Sequence, residues 1–249
     1  MPIILVTNDD GVHAPGIKAL AEAMAKVGRV VIIAPERDNS AVSHSLTMDR
    51  PLRVKKLQKD IYTIDGTPTD CVIIGLEKIL GEPPALLASG INRGGNLCED
   101  ISYSGTVSAA IEGTMLGIPS IAVSMPGEEP LHYHTAGAVA CRVAALVLEK
   151  GLPDDTLLNI NVPNQPDSDN LEIRFTRQGK RVYSNVIKET SDPWGRKHYW
   201  IGGGIPTWDK GAGTDAHEVQ ADHISITPIH LDLTNYQALD YLTKEFGSG

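Results

Sequence analysis

The chain has 249 residues, 41% hydrophobic and 21% charged, which is ordinary globular usage and excludes a disordered, collagen-like or coiled-coil protein. Only 5% of the residues are aromatic, with two Phe, so the core has to be built from Val, Ile, Leu and Ala, a composition that favours parallel strands covered on both faces by helices. The formal charge of −9 argues against a broad basic surface for polymeric nucleic acid or anionic lipid and directs attention to small ligands.

Short apolar runs rich in β-branched residues recur along the chain, and each ends in polar or turn residues. The first is Ile3 to Val6, followed by Asn8-Asp9-Asp10-Gly11. Gly16 to Lys26 then places Ile17, Leu20, Ala21, Met24 and Ala25 at helical spacing, after a Pro15 suited to a first helical turn. Val30 to Ala34 is the second strand and empties into Pro35-Glu36-Arg37-Asp38-Asn39-Ser40. Thr69 to Leu80 is expected as a helix, with Thr69 or Asp70 as its N-cap. Leu86 to Ala88 is a third strand, with Ser89 to Asn96 expected as a Gly-rich turn directly after it. Thr106 to Leu116 is a helix rich in small residues, and Ser120 to Val123 and Leu157 to Val162 are further strands. Repeated βα units imply a parallel sheet with right-handed crossovers.

The pattern changes after Pro163. Asn164 to Asn170 is a polar turn region, and the segment to about Asp222 holds strand-like pieces, Gly202-Gly203-Gly204 and all three Trp. Glu172 to Lys197 carries seven basic and three acidic residues, a local charge of +4 in an acidic protein. Its low aliphatic content marks an antiparallel extension rather than an independent domain. Ile224 to Ile229 is a returning strand and Gln237 to Phe246 a terminal helix. The expected organisation is one domain: a core of about 1–163 and 223–236, an extension of about 171–222 and a C-terminal arm of about 237–249.

Cys71, Cys98 and Cys141 are odd in number and widely spaced, as expected of reduced thiols in a cytoplasmic protein. The start has no basic segment and too short an apolar run for a signal peptide, and no stretch reaches the roughly 18 apolar residues of a membrane span. His13 is expected either at the surface or behind a site residue rather than as a catalytic group, and His132 and His134, which alternate like strand or loop residues, lack an acidic partner at zinc spacing.

In an open parallel sheet, ligands bind at the carboxyl ends of the strands near the point where strand order reverses, so polar residues immediately after strands are the candidates for chemistry. Adjacent Asp9 and Asp10 would raise each other's pKa unless a cation neutralises them. With Asn and Ser oxygens nearby, such a site suits a hard ion, Mg²⁺ or Mn²⁺. The pair has a second reading, as a helix cap or an Asx turn with Gly11. Ser89 to Asn96 and Tyr103-Ser104-Gly105-Thr106 read either as plain turns or as anion cradles that combine backbone N–H groups, hydroxyls and a helix N-terminus. Neither matches a P-loop or a dinucleotide fingerprint. Together, acidic pair and cradles describe a metal-assisted phosphate hydrolase in which a metal-activated water attacks phosphorus.

The chain also resembles the SurE family of stationary-phase survival proteins, metal-dependent 5'/3'-nucleotidases. The resemblance spans essentially the whole chain and rests on an ordered set of motifs. These are Asn8-Asp9-Asp10-Gly11 with His13-Ala14-Pro15-Gly16, Ala34-Pro35 through Ser40, and Gly66-Thr67-Pro68-Thr69-Asp70-Cys71. Ser89-Gly90-Ile91-Asn92 follows with Gly94 and Asn96, then Tyr103-Ser104-Gly105-Thr106 and Ser225-Ile226-Thr227-Pro228. Carried over by position, the resemblance implies Asp9, Asp10, Ser40 and Asn92 as ligands of one divalent metal ion per subunit, and Asn96, Ser104, Gly105 and Thr106 as phosphate contacts. It further implies a three-layer α/β/α core with a Rossmann-like sheet, and a homodimer or homotetramer held partly by exchanged C-terminal arms. The substrates it implies are nucleoside monophosphates, sometimes with polyphosphate as a side substrate. The family usually carries Gly after the metal-ligand serine, whereas this chain has Ala41, which tolerates positive φ poorly.

Two other functions fit parts of the pattern. A haloacid-dehalogenase-type phosphatase would use an Asp as covalent nucleophile, but it spaces its two aspartates by one residue. A regulatory module would bind nucleotide without turnover. On the hydrolase reading, Asp9→Asn is expected to abolish metal-dependent turnover with little harm to folding, because it relieves repulsion between crowded carboxylates. Full activity of that variant at saturating metal would reject the ligand assignment.

Overall fold

Alternation along the first strand sets up the layers. In a computed structural model that describes residues 1–168, 171–182, 187–201, 207–208 and 211–247, strand β1 (Ile3–Thr7) is buried throughout. Ile4 and Val6 face one helical layer while Ile3 and Leu5 face the other, as the period of two requires. On the first face lie α1 (Pro15–Met24) and α4 (Tyr133–Lys150), through Ile17, Leu20, Met24, Val139 and Val143. On the second lie α2 (Pro68–Ile74) and α3 (Gly105–Met115), through Val72, Val107 and Ala110. Each fully buried Leu or Ile contributes roughly 1.5–3 kcal/mol, and both layers are built from such side chains with almost no aromatics.

The remaining strands are β2 (Arg29–Pro35), β3 (Val54–Gln58), β4 (Ile61–Ile64), β5 (Leu86–Arg93), β6 (Ser120–Met125), β7 (Thr156–Asn161) and β8 (Ile173–Phe175), with β9 (Arg181–Val182), β10 (Ile187–Ser191), β11 (Lys197–Ile201), β12 (Thr207–Trp208) and β13 (Ile224–His230). The main sheet has the order β3-β4-β2-β1-β5-β6-β7-β13-β8. From β4 to β7 every pairing is parallel. The chain runs outward from β1 to β2 and β4, then returns to place β5 on the other side of β1. Strand order therefore reverses between β1 and β5, and a crevice opens at their carboxyl ends. Gly16 lets α1 lie against this point: a Cβ there would stand 2.0 Å from the carbonyl oxygen of Ile91.

Several elements differ from the sequence expectations. Strand β5 does not stop at Ala88 but pairs with β6 through Arg93, with a register shift between Gly90 and Asn92. The turn is thus confined to Gly94–Asn96, and Asn92 sits on a strand end. The helix expected to Leu80 is α-helical only to Ile74 and continues as one π-turn over Gly75–Ile79. Its N-cap is Thr67 rather than Thr69 or Asp70. Asp70 closes a capping box from the third helical position and also accepts from the amide of Thr47, which makes it structural. His132 is the N-cap residue of α4 and His134 lies in its first turn, so neither belongs to a strand. The β3–β4 hairpin and α4 itself were not anticipated.

The extension is only partly antiparallel. Strands β10 and β11 form an antiparallel hairpin, and β9 pairs antiparallel with β12, but β8 joins the main sheet parallel to β13. There Thr176 meets Ser225 and Thr227, hydroxyl to hydroxyl at 2.8 and 2.7 Å, so the Ser225-Ile226-Thr227-Pro228 motif is a buried join between strands. Asn170 and Gly202-Gly203-Gly204 lie outside the described residues. The terminal helix is α6 (Tyr236–Phe246), and none of its residues is buried.

The root of the extension is fastened by Asp215, which opens α5 (Asp215–Gln220) and is fully buried. Its carboxylate accepts from the amides of Cys98 and Gly179 at 2.8 and 2.9 Å, while Gln178 Nε2 donates to the Cys98 carbonyl at 2.9 Å. Burial and the adjacent Asp215 push the Cys98 thiol up to about 12, which makes it unreactive at neutral pH. Asp215→Ala deprives the buried amides of Cys98, Gly179 and Ala216 of this acceptor and is expected to cost about 2–5 kcal/mol in urea denaturation. A loss under about 1 kcal/mol would mean that the junction does not depend on the carboxylate.

Candidate metal and phosphate site

The site is assembled from four chain segments that meet at the β1–β5 reversal. Asp9 and Asp10 follow β1. Asp9 is buried, and its carboxylate accepts from the amide of Thr106 at 3.0 Å and from the Thr106 hydroxyl. Its carbonyl accepts from the amide of Asn39 at 2.8 Å, which binds the loop after β2 to the loop after β1. Asp10 accepts from the amide of Arg93 at 3.3 Å, at the end of β5. The helix-cap reading of the pair does not apply, because the N-cap of α1 is Ala14 with no side-chain cap. Asn8 rather than an aspartate makes the local turn, donating from Nδ2 to the Gly11 carbonyl at 3.0 Å.

Ser40 is exposed on the loop after β2, where its amide and hydroxyl donate to Asp38 Oδ1 at 2.7 and 2.6 Å. Asn92 donates from Nδ2 to the Gly94 carbonyl at 3.0 Å, which fixes the amide plane. A cleft of about 640 Å³ is lined by Asp9, Ser40, Asn92, Asn96 and Ser104 together with Ala41, Arg93, Gly95, Asp100, Tyr103, Arg181 and Ile201. Five of the eight expected site residues thus share one cleft wall, and Asp10 joins them through Arg93. His13 is exposed and has no part in the lining.

Burial raises the pKa of Asp9, opposed by the hydroxyl and amide of Thr106, while Asp38 pushes it further up. Asp10 is raised to about 6, first by burial and then by the Asp9 carboxylate. The donor set fits a hard divalent cation: two adjacent carboxylates, a hydroxyl and an amide, all oxygen donors at a partly desolvated strand end. Among the described residues no group of three or more His, Cys, Asp or Glu side chains gathers as a metal site, so a zinc-type centre is not what these residues offer.

The phosphate-side residues divide. Ser104 is the N-cap of α3 and accepts from the Val107 amide at 3.1 Å, which aims the start of that helix at the cleft. Asn96 is buried in an asparagine network: its amide donates to Asn161 Oδ1 at 2.9 Å, its Nδ2 to Ser124 Oγ at 2.7 Å, and its carbonyl accepts from Asn159 and Asn161. Gly105 is the residue against which Asp9 packs, since a Cβ there would stand 2.8 Å from Asp9 Cβ. Thr106 departs from the expectation. It is fully buried and gives both amide and hydroxyl to Asp9, so in this arrangement it holds the carboxylate rather than facing an anion. The expectation that Asp9→Asn spares folding is corrected for the same reason, because Asn would set an NH₂ group against one of two converging donors.

Sequence reasoning left several of these contributors without a role: Asp38, the Ser124–Asn159–Asn161 network, and Asp100, Tyr103 and Arg181 in the cleft. A signal existed for the network, since polar residues inside the apolar runs of β6 and β7 need buried partners. Arg181 lies 81 residues from its partner Asp100, and nothing local reports that.

The sequence matches the family described as survival protein SurE over residues 4–185. It is 53% identical over 240 residues to 5'-nucleotidase SurE of Geobacter sulfurreducens, covering 96% of this chain and 92% of that protein. It is 51% identical to 5'-nucleotidase SurE of Pelobacter propionicus, covering 96% and 98%. The crystal structure of the SurE protein from Aquifex aeolicus superposes with a TM-score of 0.86 at 44% identity, covering 98% of this chain and 99% of that one.

Two outcomes follow from the local geometry. Ala41 adopts a φ of 57°, the left-handed region in which a Cβ is unfavourable, so Ala41→Gly is expected to raise stability by about 1 kcal/mol in thermal denaturation. No gain would show that the loop relaxes in solution. Asp10, with its folded pKa raised from 3.8 to about 6, binds its proton more tightly when folded. Its contribution to metal-free stability is therefore complete below about pH 4 and lost as pH rises through about 6. In chelator at pH 7.5, Asp10→Asn is expected to melt about 2–4 °C above wild type, because solvent screens part of the repulsion at this half-buried carboxylate, with the gap closing at pH 4. Divalent metal should reverse the order, and a variant that melts lower at pH 7.5 without metal would contradict the repulsion.

Proposed function

The chain belongs to the SurE family, and from that premise we propose that it is a divalent-metal-dependent 5'-nucleotidase, a phosphoric monoester hydrolase acting on nucleoside 5'-monophosphates, with 3'-monophosphates as a second substrate class. The observation that carries this reading is the adjacent Asp9–Asp10 pair, held at the strand-order reversal by donors from α3 and β5, in one cleft with Ser40, Asn92, Asn96 and Ser104. Asp9, Asp10, Ser40 and Asn92 are the proposed ligands of one Mg²⁺ or Mn²⁺ per subunit. When bound, the cation supplies charge for the phosphoryl oxygens and the acidity that makes water an attacking group.

The chain's own residues do the rest. Thr106 fixes the rotamer of Asp9, and the Arg93 amide orients Asp10. Asp38 takes the Ser40 hydroxyl hydrogen and leaves the lone pairs of that oxygen for the cation. Asn96, Ser104 and the main chain of Gly105 are the proposed phosphate contacts at the α3 N-terminus, while the missing Cβ of Gly105 lets Asp9 pack against the start of that helix. Donors prearranged in this way stabilise charge that develops in the transition state without reorganising at that moment.

We propose one functional domain for the chain, supported by β8 and β13 completing the main sheet. We also propose assembly as a homodimer or homotetramer. What supports assembly is the apolar surface left on α6 and its approach, with Leu233, Leu239, Leu242 and Phe246 exposed, and on the hairpin, with Trp200 and Ile201 exposed, a surface that a monomer rarely leaves open. A cytoplasmic location is supported by the three unpaired cysteines, and no helix of the described residues is long and apolar enough to cross a membrane.

Phosphate release from AMP and GMP, measured with Mn²⁺ and with chelator, tests the activity. Turnover is expected only with metal, and Asp10→Ala should lower kcat at least 10²-fold by removing a ligand. Well-folded protein that binds nucleotide without turnover, or an aspartyl-phosphate trapped on Asp9 or Asp10, would overturn the proposal. Size-exclusion chromatography with light scattering should give two or four chains per particle, and removal of residues 232–249 should reduce that number.

A further inference from the structure

The chemistry assigned to the cleft uses only part of its lining. Tyr103 ends the short 3-10 turn Cys98–Tyr103 and stands 56% exposed on the cleft wall. Its carbonyl accepts from the Ser43 amide at 3.1 Å, so its main chain braces the loop that carries Ser40 while its ring is left to the cleft. Beside it, Asp100 of the same turn pairs with Arg181, which reaches in from the extension. Both side chains are more than three-quarters shielded from solvent, at 22% and 23% exposure, yet both line the cleft.

This group is held rigidly. The Arg181 amide donates to Glu99, Gln178 holds the Cys98 carbonyl, and Asp215 ties the Cys98 amide to Gly179. Core and extension therefore present the ion pair and the ring as one preorganised surface, which lowers the entropy lost on binding. An aromatic face beside a fixed carboxylate and guanidinium matches a purine or pyrimidine nucleoside: the ring stacks on a base, the carboxylate accepts from ribose hydroxyls, and the guanidinium donates to ring or sugar oxygens.

We propose that Asp100, Tyr103 and Arg181 form the nucleoside subsite, which selects nucleotides over simple phosphate monoesters. The proposal rests on the nucleotidase reading above and adds where discrimination resides. Neither Asp100 nor Tyr103 is among the proposed metal or phosphate contacts.

The test compares kcat/KM for AMP with kcat/KM for p-nitrophenyl phosphate, both with Mn²⁺, in wild type, Tyr103→Ala, Tyr103→Phe and Asp100→Asn. In Tyr103→Ala the AMP to p-nitrophenyl phosphate ratio should fall roughly tenfold, mainly through KM for AMP, while Tyr103→Phe keeps the stacking face and stays within about twofold of wild type. Asp100→Asn should lower the ratio several-fold. Equal losses on both substrates would reveal a merely structural role, and an unaltered ratio in both Tyr103→Ala and Asp100→Asn would place nucleoside recognition elsewhere; either result overturns the proposal. Folded wild type that hydrolyses neither substrate would instead overturn the nucleotidase reading, and this inference with it.

Discussion

Crowding of negative charge at the end of β1 is the constraint around which the rest is arranged. Asp9 and Asp10 are consecutive, Asp38 raises the pKa of both, and burial removes the water that would screen them. Three compensations are visible. Thr106 gives two donors to Asp9, the Arg93 amide reaches Asp10, and Ser40 occupies Asp38. Each compensating group comes from a different segment, so holding the carboxylates requires α3, the end of β5 and the loop after β2 to be in place together. Charge repulsion that costs stability in the metal-free chain is also what a cation bound among these oxygens would relieve.

The sheet makes that convergence possible. Strands β5, β6 and β7 carry polar residues within the core as well as near their carboxyl ends, and Asn8, Ser124, Asn159 and Asn161 are fully buried. Asn96 resolves this for the strands beyond β5, because its backbone and side chain together bond Ser124, Asn159 and Asn161. A buried network of this kind is stiff, since each unsatisfied member would cost about 1–3 kcal/mol, and it sets the Gly94–Asn96 turn firmly enough to serve as a wall of the cleft. The expected Gly-rich turn after Ala88 is shortened by the same interaction between β5 and β6, which extends pairing to Arg93.

The extension adds a different property. Its hairpin is exposed, but its root is not, because Asp215 and Thr176 are buried where it leaves the core. Basic residues counted in the sequence as a diffuse local charge resolve into separate tasks: Arg196 pairs with Asp192 inside the hairpin, whereas Arg181 brings a cation to the cleft wall. Because Asp100 shares that wall and pairs with Arg181, the ion pair offers the cleft an acceptor and a donor side by side rather than a net positive charge.

Local pattern alone determined a great deal. Continuous apolar runs at Ile3–Val6 and Val30–Ala34 and the helical spacing of Ile17, Leu20 and Met24 specify a parallel α/β sheet, because strands covered on both faces are apolar throughout. The polar residues immediately after those runs mark the site, because strand ends in such sheets open to a crevice. Tertiary structure decided what side-chain spacing does not encode. Whether Thr106 faces an anion or Asp9 depends on how close α3 approaches β1, which the absent Cβ of Gly105 permits. Where β5 ends depends on its partner β6, and Thr67 rather than Asp70 caps α2 because the turn geometry before Pro68 leaves Thr67 extended. Hydrophobic pattern is a property of neighbours in sequence, whereas a carboxylate's partner, and so its charge, belongs to neighbours in space.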